Sequence, residues 1–222
     1  MRYAIVPAYN EEKTIGEVIK RLKKLKFKVL VIDDGSKDKT YEIAKSLKVD
    51  VIRHEKNRGK GEALKTAFDF LKNKKFSSCI IIDADMQFLP EEAPKIAKMV
   101  EKGYDIVMGA RNWSKVPFRH KLGNFVWRFI FNLLFGVKLK DTNCGFIGLS
   151  RKALSKIEKI YGGYIIENSI LAEGVRKNMK ITNVPVKVFY HKKSKFVRGI
   201  KVVSGVSIFI IKEGLKYLLS KL

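Results

Sequence analysis

The stretch Cys79-Ile80-Ile81-Ile82-Asp83-Ala84-Asp85-Met86-Gln87 runs from four apolar residues, three of them β-branched, straight into two carboxylates one residue apart. A short apolar run without polar alternation predicts a strand buried on both faces, the condition of strands inside a parallel sheet. Residues 3–6, 29–32, 49–52 and 106–108 read the same way. Residues 12–24, 38–47, 61–72 and 91–102 have helical spacing, with Ser36 or Asp38 placed to cap and Pro90 at a helix start. The alternation predicts an α/β chain with a mostly parallel central sheet, helices on both faces, and a Rossmann-like N-terminal half.

Ligands of open parallel sheets collect outside the carboxyl ends of the strands. Here each predicted strand ends in a polar cluster: Tyr9-Asn10-Glu11, Asp33-Asp34-Gly35-Ser36, Asn57-Arg58-Gly59-Lys60-Gly61, Asp83 to Gln87, and Arg111. Strand alternation aims Asp83 and Asp85 the same way, converging on a hard cation that keeps water and phosphate oxygens as its other ligands. Gln87, the only glutamine in the chain, can add a neutral oxygen. The competing reading is an acid pair that caps the helix after Pro90 or starts a turn, and for an isolated Asp-X-Asp it is the commoner one. Asp33 and Asp34 suit hydrogen bonds from a ribose or nucleobase, with Gly35 allowing a tight turn. Residues 57–61 bring two cations and two glycines to a helix start, either a loop that approaches a diphosphate or a basic surface turn; the spacing is not that of a Walker loop.

The 222 residues are 46% hydrophobic and carry a net charge of +24, from 46 Lys and Arg against 22 Asp and Glu. This excludes a disordered chain and favours phosphate-bearing partners, without choosing among nucleotides, anionic lipid and nucleic acid. Cys79 and Cys144 stand far apart without metal-ligand spacing, which predicts packing roles in a reducing compartment. His54, His120 and His191 are scattered and read as solvated or packing residues. No stretch reaches the roughly 18 apolar residues of a membrane span, and the chain turns strand-like too soon after Met1 for a signal peptide. The expected location is the cytoplasm.

The second half differs in character. Residues 111–140 hold seven Lys and Arg, seven aromatics and no acid. Between Leu122 and Val137, Phe125, Trp127, Phe129, Phe131, Leu133, Leu134 and Phe135 flank one cation, Arg128, which reads equally as an interfacial helix and as a core helix. From Lys187 onward nine cations face one acid, Glu213, and residues 199–222 read as a basic amphipathic helix with Lys201, Lys212 and Lys216 on one stripe. Such a helix suits an anionic membrane surface, where each cation contributes about 1 kcal/mol.

The ordered set Pro7-Ala8-Tyr9-Asn10-Glu11, Asp33-Asp34-Gly35-Ser36, Asn57 to Gly61, Asp83 to Gln87 and Gly109-Ala110-Arg111 resembles the family-2 glycosyltransferases. Within them the chain is most similar to the dolichyl-phosphate mannose synthase and glucosyltransferase branch, with Asp141 to Phe146, Glu167, Val184-Pro185-Val186 and Ser194-Lys195 continuing the match. The resemblance implies a GT-A fold in a single domain, 1–222: a nucleotide-sugar-binding half (1–111), an acceptor-side half (112–198) and the C-terminal helix (199–222). It implies that Pro7, Ala8, Tyr9, Glu11 and one or both of Asp33 and Asp34 surround the nucleoside. Asp83, Asp85 and Gln87 then flank Mg2+ or Mn2+, Asp83 and Ala84 contact the nucleotide-sugar, Lys60 and Arg111 touch phosphates, and Arg119 faces the acceptor phosphate.

The implied reaction is inverting, metal-dependent transfer from GDP-mannose or a UDP-hexose to a polyprenyl or dolichyl phosphate. An ionised phosphate needs no general base, which fits the lack of an obvious catalytic His or Ser. Glu167 binds the sugar, acts as base for a hydroxyl acceptor, or is a helix-surface acid. His191 stands where mannose synthases often carry arginine. Relatives often append transmembrane helices, so a peripheral enzyme or one recruited by a membrane protein is expected. A sugar-nucleotide pyrophosphorylase would place a Gly-rich loop after the first strand, where Pro7-Ala8-Tyr9-Asn10-Glu11 stands. A basic nucleic-acid binder fits +24 but leaves five strand-end clusters unexplained.

Overall fold

The apolar runs form β1 (Arg2–Ala8), β2 (Phe27–Asp33), β3 (Asp50–Arg53), β4 (Ser78–Ile81) and β5 (Ile106–Arg111), joined by α1 (Ile15–Lys24), α2 (Thr40–Ser46), α3 (Lys60–Leu71) and α4 (Ala93–Glu101). The second half adds α5 (Phe118–Phe135), β6 (Ile147–Leu149), α6 (Arg151–Lys156), α7 (Ile166–Arg176), β7 (Ile181–Val186) and α8 (Arg198–Leu219). The structure, a computed structural model, describes residues 1–112, 118–189 and 198–221, and of residues 118–122 and 198–203 the backbone alone. The side chains of Arg119, His120 and Lys201, and residues His191, Ser194 and Lys195, lie outside the described residues.

All seven strands belong to one sheet, in the order β3-β2-β1-β4-β6-β5-β7. β1 pairs in parallel with β2 and β4, β2 with β3, and β5 with β7. Among the described strands β6 alone runs antiparallel, with Ile147 opposite both Ile81 of β4 and Met108 of β5. Ala4, Ile5, Val6, Leu30, Val31, Ile80 and Ile81 are fully buried, as apolar runs between two helical layers must be. β3 departs from that expectation because it is an edge strand: Val51 and Ile52 are half-buried and Arg53 is exposed.

Helices face this sheet with apolar stripes. α1 buries Ile15, Val18, Ile19 and Leu22, the i, i+3, i+4, i+7 pattern, and stops where Lys26 takes a left-handed φ of 61°. α4 begins with Ala93 and Pro94 after a 3-10 turn opened by Pro90. It ends at Glu101, which ties the helix to β1: Arg2 grips it at 2.7 and 2.9 Å, and the hydroxyls of Ser77 and Ser78 donate at 3.0 Å. The Arg2 hydrogen bonds, with those from the two serines, hold the Glu101 carboxyl at about 2 against its ordinary 4.5. A depressed carboxyl contributes stability that is present above the unfolded value and lost as pH falls through the folded one. The thermal midpoint of the wild type should therefore converge on that of Glu101→Gln between pH 4.5 and 2, as followed by circular dichroism; a gap unchanged at the acid end would contradict this.

α5 and α8 pack closely, since a Cβ on Gly214 would come within 2.6 Å of Leu134 Cβ. α5 divides into a buried stripe, as a core helix has, and an exposed apolar stripe. Trp127, Phe131 and Phe135, four apart, are buried, whereas Phe125, Phe129 and Leu133, also four apart, are 53%, 58% and 67% exposed. α8 repeats the division, burying Val206 and Ile210 and exposing Ile208, Ile211, Leu215, Leu218 and Leu219. Among the described residues no helix is long and apolar enough to cross a membrane.

Candidate functional site

The carboxyl ends of β1, β2 and β4 open on a cavity of about 260 Å3 lined by Pro7, Ala8, Tyr9, Asp34, Asn57, Gly59, Lys60, Ala63 and Asp83. Two non-glycine residues on this rim take left-handed φ, Asn10 at 56° and Met86 at 59°. Lys26, Lys48 and Asn178, the others that do, follow the ends of α1, α2 and α7, an ordinary helix stop. At Met86 the left-handed turn reverses the chain just past β4. Asp85 Oδ1 accepts from the Gln87 N–H at 3.0 Å, so this turn, and not strand alternation, sets Asp85.

Asp34 is held on all sides. Its Oδ1 meets His54 Nδ1 at 2.7 Å and accepts from the Arg58 N–H at 2.9 Å, and Oδ2 accepts from the Gly59 N–H at 2.7 Å. It lines the cavity but acts as a brace for the loop that ends in Lys60. His54, read from sequence as a solvated or packing residue, is buried, and its Nε2 meets Thr66 Oγ1 at 2.9 Å, joining the brace to α3. Asp33 is fully buried; Oδ1 accepts from the Ser36 N–H at 3.3 Å, while Oδ2 faces Arg53 Nε at 3.1 Å without hydrogen-bond alignment. Gly35, at φ 71°, lies so close to Lys56 that a Cβ would come within 2.5 Å of its carbonyl carbon.

Lys60, the first residue of α3, reaches back to the end of β4. Its Nζ is 2.6 Å from Asp83 Oδ1, 2.9 Å from Oδ2, and 3.6 Å from Glu167 Oε1 on α7. Burial alone would lower the Lys60 pKa, but Asp83, Glu167 and Asp85 outweigh it and hold the ammonium above its ordinary value. Glu11 joins the cluster: burial raises its carboxyl, a Thr14 hydrogen bond opposes, and the charges of Asp85, Asp38 and Asp83 raise it further. Gly145 presses on the same spot. A Cβ there would sit 2.9 Å from Asp83 Oδ2, 3.2 Å from Lys60 Nζ and 3.5 Å from Glu167 Oε1.

The antiparallel course of β6 explains Gly145: the strand starts at the rim where β4 and β5 end, so residues 141–146 arrive beside Asp83 and Arg111. Arg111 is gripped by Asp141, with Nε–Oδ2 at 2.7 Å and Nη2–Oδ1 at 2.9 Å, and donates from Nη2 to Asn124 Oδ1 at 3.1 Å. Asn143 donates to Asn124 Oδ1 at 3.3 Å and accepts from Asn168 Nδ2, the residue after Glu167. A polar chain therefore links α5, the end of β5, the 141–145 loop and α7. The structure groups Glu11, Lys60, Asp83, Asp85 and Glu167, with Pro7, Ala8 and Tyr9 across the cavity. Arg111 stands at the neighbouring strand end, engaged by Asp141.

A larger cavity of about 740 Å3 lies at the opposite end of the sheet, between the C-termini of α5, α7 and α8. Lys138, Lys140 and Lys221 line it, where cations answer the partial negative charge of helix C-termini.

Residues 3–158 match the model of glycosyl transferase family 2. The chain belongs to that family. A UDP-N-acetylglucosamine–dolichyl-phosphate N-acetylglucosaminyltransferase of Methanococcus voltae is 30% identical over 233 residues, covering 93% of this chain and 92% of that protein. A dolichol-phosphate mannosyltransferase of Pyrococcus furiosus is 31% identical over 201 residues, covering 82% of this chain and 54% of that protein. The glucosyl-3-phosphoglycerate synthase of Mycobacterium tuberculosis, solved with Mn2+, UDP and phosphoglyceric acid, superposes with a TM-score of 0.78 at 20% identity, covering 96% of this chain and 78% of that one. That last likeness concerns the fold, which in this family-2 glycosyltransferase is GT-A.

Proposed function

We propose that this family-2 glycosyltransferase moves a hexose from a nucleotide-sugar to a polyprenyl or dolichyl phosphate, with inversion and with a divalent metal, at an anionic membrane surface. The observation that carries the reading is the meeting of Lys60, Asp83, Asp85 and Glu167 beside a 260 Å3 cavity lined by Pro7, Ala8 and Tyr9. The cavity takes the nucleoside, and the N-terminus of α3 with Lys60 takes the diphosphate. The named activities of the Methanococcus and Pyrococcus relatives supply the acceptor class.

The residues fit a hard divalent cation. Among the described residues no group of three or more His, Cys, Asp or Glu can hold a metal by itself. Two carboxylates from one turn suit Mg2+ or Mn2+, which usually fills its sphere with water and substrate phosphate oxygens. Glycine at 145 keeps the space over Asp83 clear of a side chain. Asp83 and Asp85 would hold the ion, with Gln87 beside them, and when bound it supplies Lewis-acid neutralisation of charge on the departing diphosphate. Lys60 adds its charge to the same phosphates, and Glu167, 13% exposed, faces the sugar. Arg111, bonded to Asp141 and Asn124 at the neighbouring strand end, adds its charge beside the phosphates. The acceptor's own ionised oxygen attacks the anomeric carbon, so no side chain must take a proton.

The test offers GDP-mannose, UDP-glucose and UDP-N-acetylglucosamine separately with a short polyprenyl phosphate and Mn2+. One donor should give a lipid-linked sugar by mass spectrometry, and EDTA should stop it. Transfer only onto a sugar or glycerol hydroxyl would overturn the lipid-phosphate reading.

The surface of α5 and α8 supplies the membrane contact. Phe125, Phe129 and Leu133 join Ile208, Ile211, Leu215 and Leu219 in exposing large apolar side chains on two packed helices, with Arg128, Lys212 and Lys216 among them. Apolar side chains flanked by cations match the boundary of an anionic leaflet. Burying one such side chain contributes about 1.5–3 kcal/mol, so Phe129→Glu with Leu133→Glu should weaken binding to phosphatidylserine vesicles by about 100-fold or more in a flotation assay. Undiminished flotation would exclude this face.

A further inference from the structure

Both oxygens of Asp83, the carboxylate assigned to the metal, already face a cation, the ammonium of Lys60 at 2.6 and 2.9 Å. Glu167 stands 3.6 Å behind it, and Asp85 adds its charge to the same ammonium. A divalent ion on Asp83 would sit beside this full positive charge in a half-buried cleft, where like charges repel far more than in water. The clash is relieved in one direction. Lys60 also lines the cavity at the N-terminal end of α3, where the helix dipole and free N–H groups favour phosphate. A diphosphate there offers the ammonium a second anion within reach of its flexible stem.

We infer that Lys60 is a resident counter-ion of Asp83 that passes to the donor's diphosphate, so that the divalent ion binds firmly only together with the nucleotide. This rests on the metal and diphosphate reading above. The carboxylates Asp83, Asp85 and Glu167 outnumber the Lys60 ammonium they surround, which keeps the site attractive to a cation before nucleotide binds and Lys60 firmly charged. Because binding linkage is reciprocal, the ion must strengthen nucleotide binding by the factor by which nucleotide strengthens the ion's. A lysine that served only as a fixed phosphate ligand would behave differently. Its removal would weaken nucleotide binding and leave metal binding in the absence of nucleotide unchanged.

The experiment measures free Mn2+ by electron paramagnetic resonance against the full chain, alone and with GDP or UDP, after subtracting Mn2+ held by nucleotide without protein. In the wild type, nucleotide should tighten Mn2+ binding by about tenfold or more. Lys60→Met should bind Mn2+ alone about fivefold or more tighter than the wild type, and nucleotide should tighten it further by a much smaller factor. Lys60→Arg, which keeps the charge, should follow the wild type, and circular dichroism checks that both variants are folded. Equal Mn2+ affinity of Lys60→Met and wild type without nucleotide overturns the exchange while leaving the metal site standing. Wild type and Asp85→Ala behaving alike, or no Mn2+ binding under any condition, overturns the metal site and the exchange with it.

Discussion

Asp85→Ala is expected to lower metal-dependent sugar transfer by at least about 100-fold while leaving the protein folded. Removing a group that neutralises charge in a transition state typically lowers turnover by a factor of about 100 to 1,000. Asp85 acts through the ion it would hold with Asp83, and its nearness to Lys60 and Glu11 shows in the pKa of both. The bond it accepts from the Gln87 N–H lies in a half-buried turn, and such a bond contributes about 0.5–1.5 kcal/mol. Initial rates with saturating donor and a Mn2+ titration, set beside thermal midpoints, separate the two effects. Turnover within tenfold of the wild type would remove Asp85 from the site.

Asp141→Ala should destabilise the fold by about 3–5 kcal/mol, the range seen when one partner of a buried pair is removed and the other stays charged. Asp141 is 1% exposed and Arg111 12%, so the guanidinium left behind has little water to turn to. The same carboxylate also accepts from the Arg111 and Asn143 N–H groups, at 3.2 and 3.0 Å. The change therefore loosens both the end of β5 and the loop before β6. Asp141→Asn keeps the shape and part of the acceptance, and should fall between. Urea unfolding monitored by tryptophan fluorescence reads all three proteins. A loss below about 1 kcal/mol for the alanine variant would mean that Arg111 finds another anion and that its anchor lies elsewhere.

What the sequence disclosed follows from which interactions are local. Four apolar runs and the helices between them became β1, β2, β4, β5 and α1 to α4, because burial on both faces and a 3.6-residue period are written into neighbouring residues. Lys60 and Asp83 were legible as strand-end polar residues, each with a competing reading as a surface turn or a helix cap. Their contact was not, since 23 residues separate them and only the sheet order makes β1 and its neighbours bring them together. Strand alternation gave the wrong reason for the aim of Asp85, because β4 stops at Ile81 and a left-handed Met86 takes over. The antiparallel β6 left no mark beyond three residues, Ile147-Gly148-Leu149. Gly145 could have been suspected only from its place in the 141–146 match. Asp34 as a loop brace, and His54 behind it, depend on donors at 58 and 59 whose positions no spacing rule announces.

The reversed direction of β6 gives residues 112–140 a hairpin-like entry and exit. The chain leaves the sheet at Arg111 and rejoins it at Ile147, and Asp141, on the way back, is bonded to Arg111. A detour that begins and ends at one latch is a cassette. Any change within it has to leave the Arg111–Asp141 pair and the close approach of Gly214 to Leu134 in place.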